Sequence, residues 1–256
     1  MTARSASTSR ATPATAPTRR LYYFAGGGWQ MPPSSQHWRR CAELVRQVPG
    51  LAISVVSAPH APHSPANVAL PQLGIMCASV LKQGEQSGER IVFGGDSSGG
   101  NLALCLTLQG LMDDGPGRSP DAVLLICPSV DLRPMSVEGS VKYIFKKDPI
   151  LTINGHNDEA AKWSKGSDTA SPLISPVTAD MSMFAKADVK VLGITGGYDI
   201  LTPDAIELRD KCKDGGVHGA WLEWDKQMHC FPLTFMYRVP EAIEAKNWIV
   251  EHLKKI

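Results

Sequence analysis

The stretch RIVFGGDSSGGNLALCLTL, residues 90–108, runs from an apolar segment through a turn of glycines and serines into a second apolar segment. Its opening, RIVFG, has the near-continuous apolar character of a strand buried on both faces, and the part from about Asn101 reads as a helix. Between them, Gly95-Asp96-Ser97-Ser98-Gly99 satisfies Gly-x-Ser-x-Gly in the strand–turn–helix context which that motif requires. Such a turn holds its central serine in a strained conformation, and small neighbours leave room for strand and helix to pass. Ser97 is therefore expected at the carboxyl edge of a sheet, beside a helix start whose dipole favours developing negative charge. Taken alone, five residues also fit a glycine-rich turn that binds phosphate or nothing.

A serine hydroxyl becomes a nucleophile only when a base takes its proton and a carboxylate orients that base. Asp199 follows an apolar run in VKVLGITGGYDIL (189–201), and His229 follows the last such run in GAWLEWDKQMHCF (219–231). Both are expected on loops at the same sheet end as Ser97, in the order Ser, Asp, His. Asp204 is the rival acid, but a place in the first turn of a helix explains it. His218 precedes its strand, and His37, His60, His63, His156 and His252 lie away from the end of the last strand. A third requirement is a pair of N–H donors for an oxyanion. YYFAGGGWQM (22–31) supplies Gly26, Gly27 and Gly28, to which the N–H of Ser98 adds a further donor.

The remaining chain alternates short apolar runs with helical patterns. Strands are expected at 21–25, 52–57, 90–94, 122–128, 189–195 and 219–224. Trp38, Cys41, Val45 and Val48 repeat at helical spacing, as do Leu73, Met76, Cys77, Val80 and Leu81. A helix over 203–214 has Thr202 as N-cap, Pro203 and Asp204 in its first turn, Lys211 and Lys213 near its end, and Gly215-Gly216 to stop it. This order predicts an α/β fold with a mainly parallel sheet covered by helices on both faces. Residues 129–188 break the rhythm with Pro134, Pro149, Pro172 and Pro176, and Pro128 just before them, and read as a cap-like excursion over one end of the sheet.

With 26 basic and 25 acidic residues among 256, the net charge of +1 gives no long-range field for nucleic acid or an anionic membrane, and a small substrate is the expected partner. No apolar run is long enough to span a membrane. Six scattered cysteines lack the paired spacing of a zinc site or disulfide framework and read as reduced core residues, which points to the cytoplasm. Residues 1–20, with four arginines, no acid and much Ser, Thr, Ala and Pro, read as a disordered tail, with an organellar transit peptide as the alternative; 21–256 form one domain.

Taken together, these motifs resemble the hormone-sensitive-lipase-like family of α/β-hydrolases over about residues 20–235. The family's His-Gly-Gly-Gly corresponds to Ala25-Gly26-Gly27-Gly28, its Gly-Asp-Ser-Ala-Gly-Gly to Gly95–Gly100 with Ser98 for Ala, and its later motifs to Asp199-Ile200-Leu201 and His229-Cys230-Phe231. The resemblance implies a carboxylesterase forming an acyl-enzyme on Ser97, with His229 relaying the proton, Asp199 orienting it, and Gly26, Gly27, Gly28 and Ser98 holding the oxyanion. Such chemistry needs no cofactor or metal. Two departures stand out. Ala25 replaces a histidine that braces the oxyanion loop, and the family carries further strands and part of its cap before the glycine motif. An exposed sheet edge at LYYFA (21–25) would then invite a homodimer. Trp29, Met31, Trp163 and Phe231 are candidates for a substrate pocket, against plain core packing. The substrate class is a small or medium ester, of a secondary metabolite for instance. The alternatives on the same fold are a biosynthetic accessory that uses His229 as base without an acyl-enzyme, or a catalytically dead scaffold.

Overall fold

The computed structural model describes residues 17–114 and 119–256. Six strands form one sheet: β1 (Arg19–Phe24), β2 (Leu51–Val56), β3 (Arg90–Asp96), β4 (Ala122–Ile126), β5 (Lys190–Gly196) and β6 (Gly219–Trp224). They lie in the order β2-β1-β3-β4-β5-β6, and every neighbouring pair is parallel. Parallel strands need crossovers, and the helices that make them bury both faces of the sheet. That burial is why the central strands are apolar throughout: every residue of β4 is inaccessible to solvent.

Alternate residues of the strands feed two cores. Phe24, Phe93, Val123 and Leu125 face a layer that includes α2 (Ala66–Ser87), α3 (Ser98–Asp114) and α7 (Thr202–Asp214). Leu21, Tyr23, Val92, Leu124 and Ile194 face α1 (Ser35–Gln47) and α8 (Pro240–Leu253). The right-handed crossover rule accounts for this division, because the chain steps one way from β1 to β2 and the other way from β2 onward. The connections leaving β1 and β3 therefore turn to opposite faces, and a crevice opens between their carboxyl ends. Ligands of open α/β sheets bind at such a switch point.

Between β4 and β5 the chain makes the excursion, with α4 (Val141–Ile144), α5 (Ile153–Trp163) and α6 (Ser182–Lys186). Asn101 of α3 holds it by donating to the Ile174 carbonyl at 3.0 Å, and Ser175 Oγ accepts the N–H of Leu132 at 2.8 Å. Asp148 reaches the loop after β5, where its Oδ2 accepts the N–H of Ile200 at 2.9 Å.

Four expectations need correction. The LYYFA strand is interior, paired on both sides by β2 and β3, so the exposed-edge argument for a homodimer fails; the edges are β2 and β6. β1 begins at Arg19, inside the tail expected at 1–20, and residues 1–16 of that tail lie outside the described residues. In α1 and its C-cap only Cys41 and Val48 of the expected stripe face the core. Trp38 and Val45 are 55 % and 44 % exposed, while the polar His37 and Arg40 are buried with Cys41 and Leu44. Finally, Thr202 is the first residue of α7 rather than its N-cap; its hydroxyl donates to the Gly196 carbonyl at 2.7 Å and ties the helix to the end of β5.

Candidate active site

Ser97 stands alone between the end of β3 and the start of α3, with φ of 52° in the left-handed region that L-residues rarely enter. Two hydrogen bonds to the neighbouring strand's connection hold it there: its N–H donates to the Ile126 carbonyl at 2.9 Å, and its carbonyl accepts the N–H of Ser129 at 3.1 Å. The sharpness of the turn depends on Gly99. A Cβ at that position would lie 2.0 Å from the Phe24 carbonyl oxygen, so any side chain would push α3 off the end of β1.

Facing this turn is the loop Gly26–Gly28. Asp96 Oδ1 accepts the N–H of Gly26 at 3.1 Å, and Ser98 Oγ accepts the N–H of Trp29 at 3.2 Å, so residues flanking Ser97 pin the loop at both ends. Gly26 was expected among the oxyanion donors, but its N–H is spent on Asp96. Among the described residues the N–H groups of Gly27, Gly28 and Ser98 make no hydrogen bond, which leaves three donors at this edge. Where the family resemblance implied a histidine brace, this chain has Ala25 and braces the loop through Asp96 and Ser98 instead.

Asp96 is itself embedded in a buried network. Tyr23 donates its hydroxyl to Oδ1, Arg40 donates to the Tyr23 oxygen at 2.9 Å, and His37 Nε2 lies 3.1 Å from Oδ2. Burial works against the Asp96 charge, but His37, Tyr23 and Arg40 outweigh it and hold its pKa below the ordinary carboxylate value.

On the far side of Ser97, Asp199 and His229 come together as expected. Asp199 is wholly buried after β5; one carboxylate oxygen accepts the N–H of Leu201 at 2.9 Å, and the other lies 2.7 Å from His229 Nδ1. Burial opposes charge on the His229 ring, but the adjacent Asp199 carboxylate more than offsets it and raises the pKa to about 9. This pairing directs Nε2 away from Asp199. Cys230 Sγ lies 3.4 Å from Nε2, and among the described residues Ser97 Oγ makes no hydrogen bond to it. The rival Asp204 lies elsewhere, with its carboxyl pushed up to about 7 by burial and by the nearby charge of Asp131.

Of the four pocket candidates, Met31 is exposed and lines a small cleft with Trp29, His60, Ser98 and Leu102. Trp29 is largely buried and stacks on Trp163 of α5, ring centroids 5.7 Å apart and planes within 9°. Trp163 and Phe231 are fully buried members of the two cores rather than walls of an open pocket. Sequence reasoning missed Glu159, one helical turn before Trp163. Its half-buried carboxyl lies over the Gly26–Gly28 loop, only 2.3 Å from where a Cβ on Gly28 would sit. A carboxylate in an otherwise ordinary helical stretch, GHNDEAAKW, gives no sign of this in a single sequence.

This geometry of sheet, switch-point crevice and serine turn is that of a hydrolase scaffold. The family model described as "alpha/beta hydrolase fold" matches residues 21–233, and the chain belongs to that family. It is 29 % identical over 219 residues to LipR of Mycobacterium tuberculosis, which carries the name of an acetyl-hydrolase, covering 83 % of this chain and 68 % of that protein. An esterase of Acinetobacter venetianus is 25 % identical over 235 residues, covering 91 % and 74 %. Among solved structures, EstE5 soaked with p-nitrophenyl butyrate superposes with a TM-score of 0.81 at 25 % identity, over 95 % of this chain and 78 % of that one. A hormone-sensitive lipase from a metagenome library has the same fold, with a TM-score of 0.82 at 24 % identity over 96 % and 78 %.

Proposed function

We propose that the protein is a serine carboxylesterase that cleaves small or medium esters through an acyl-enzyme on Ser97. The observation that carries this is the 2.7 Å pairing of His229 Nδ1 with buried Asp199, at the sheet end where Ser97 occupies its strained turn. With Nδ1–H donated to Asp199, the lone pair on Nε2 is available to take a proton.

In this reading the substrate carbonyl oxygen enters among the N–H groups of Gly27, Gly28 and Ser98, and Ser97 Oγ turns onto His229 Nε2 as the complex tightens. Oγ attacks the carbonyl carbon and its proton passes to Nε2. Collapse of the tetrahedral intermediate breaks the ester C–O bond, and His229 returns the proton to the departing alcohol. Water then repeats the sequence on the acyl-enzyme, giving up a proton to His229, and the acid leaves with Ser97 restored. Asp199 stays ionised and keeps the ring oriented throughout. LipR and the Acinetobacter esterase, by their names, support ester cleavage as the reaction class.

The test is turnover of p-nitrophenyl acetate and butyrate by the wild-type chain and by Ser97→Ala. The expected result is hydrolysis by the wild type that falls by about 10⁶-fold in the folded variant, as for other serine nucleophiles. Equal rates for the two proteins, or no turnover by folded wild type, would overturn the proposal.

A further inference from the structure

His229 has neighbours that ester hydrolysis does not require. Cys127 directly follows β4 and Cys230 directly follows His229 in sequence; both are in left-handed conformations, φ 45° and 52°. These two backbone kinks turn both thiols toward the imidazole. The sulfur atoms of Cys127 and Cys230 and a ring nitrogen of His229 all lie within 4.8 Å of one another.

The spacing has a specific chemical meaning. With Zn–S bonds of about 2.3 Å and a Zn–N bond of about 2.0 Å, donor atoms around one tetrahedral zinc ion are roughly 3.5–3.8 Å apart. Cys230 Sγ is 3.4 Å from His229 Nε2 and 3.7 Å from Asp96 Oδ2. Three donors lie close enough to share one ion, and the fourth position falls to a water. Asp199 at 2.7 Å from Nδ1 completes a carboxylate–imidazole pair of the kind that orients metal-bound histidines and strengthens their donation. Two sulfurs and an imidazole suit a soft or borderline cation and discriminate against Mg²⁺ and Ca²⁺. By contrast, Cys77, Cys105 and Cys212 are buried among the apolar side chains of the core facing α2, α3 and α7.

We propose that Cys127, His229 and Cys230 form a binding site for a thiophilic divalent cation, with Zn²⁺ as the probe ligand, and that its occupancy switches the hydrolase off. The inhibitory part rests on His229 being the catalytic base; the metal site does not. On binding, Zn²⁺ enters, both thiols release their protons to solvent, a charged His229 ring releases its Nε2 proton as well, and the Nε2 lone pair becomes a metal bond. Two positive charges enter with the metal and two protons leave the thiols; a third leaves where the ring was charged, and nothing is oxidised or reduced. His229 can then no longer accept the Ser97 proton, and removal of the metal restores it.

The experiment is an anaerobic titration of the full chain with Co²⁺ followed by Zn²⁺. Metal binding is read from the thiolate-to-cobalt absorption band, and Ser97 reactivity from labelling with a fluorophosphonate. The proposal expects one equivalent of Co²⁺, displacement by Zn²⁺, no labelling of the zinc form, and full labelling once EDTA is added. Cys127→Ala and Cys230→Ala should each weaken Co²⁺ binding by more than about 100-fold, beyond the loss caused by removing a mere supporting partner. Their labelling by fluorophosphonate should be unchanged by Zn²⁺. Should either variant fail to fold, iodoacetamide mapping of wild type decides, with Zn²⁺ expected to protect Cys127 and Cys230 together. A wild type that labels but gives no thiolate–cobalt band overturns the site and leaves the esterase reading standing. A band that survives in both variants, or alkylation of both cysteines in the presence of Zn²⁺, also overturns it. A cobalt band in a protein that never labels supports the site and counts against the esterase.

Discussion

Asp96 Oδ1 accepts the backbone N–H of Gly26 at 3.1 Å, so the residue immediately before the proposed nucleophile holds the loop that faces it. The same carboxylate is the counter-charge for Arg40, a buried guanidinium reached through the Tyr23 hydroxyl, whose Nε and Nη2 have no hydrogen-bond partner among the described residues. One side chain thereby serves both loop geometry and the neutrality of the core beneath it.

Removing that carboxylate should be costly. Asp96→Ala leaves Arg40 buried without an anion and is expected to lower unfolding stability by about 3–5 kcal/mol, the range for breaking a buried charge pair. Urea unfolding of wild type and variant measures it. A loss below about 1 kcal/mol, typical of one ordinary hydrogen bond, would show that the network carries no net charge coupling.

The pH dependence follows from His229. Catalysis needs its neutral ring, so kcat/KM should rise with pH and level off only as pH passes about 9. Asp199→Asn removes the charge that raises the pKa, so the rising limb should move to lower pH while the plateau rate falls by about 10⁴-fold. The raised pKa also has a sign for stability. The charged pair stabilises the fold fully below the unfolded histidine value of 6.5, and that contribution is lost as pH rises through about 9. Rate profiles and unfolding midpoints across this window test both statements, and a rate limb centred below 6.5 would contradict them.

Glu159 sets a third expectation. Its carboxyl lies against Gly28 in the loop that would receive the oxyanion, and burial raises its pKa. When ionised it opposes negative charge developing nearby. Glu159→Gln should therefore raise kcat/KM for a neutral ester by roughly tenfold, a small part of the repulsion between charges at such range. A lower rate in the variant would instead mean that the carboxylate accepts a hydrogen bond from the substrate.

The sheet was largely legible because strands buried on both faces leave continuous apolar runs, and all six begin within two residues of where those runs suggested. What was not legible depends on partners distant in sequence. Trp38 and Val45 carried the apolar periodicity of α1, yet the inner face of that helix carries His37 and Arg40 because Asp96 and Tyr23 lie beneath it. The interior place of β1 is set by crossover direction, which periodicity does not record. The pairing of Asp199 with His229 at the sheet end of Ser97 was legible from residue order and strand-end position, but the N–H of Gly26 was not, because its direction depends on Asp96.

Activation of Ser97 is read by intact-mass spectrometry after incubation with a fluorophosphonate. Wild type is expected to carry a single covalent adduct, with none in Ser97→Ala and almost none in His229→Ala. No adduct on folded wild-type protein, or an equal adduct on Ser97→Ala, would contradict it.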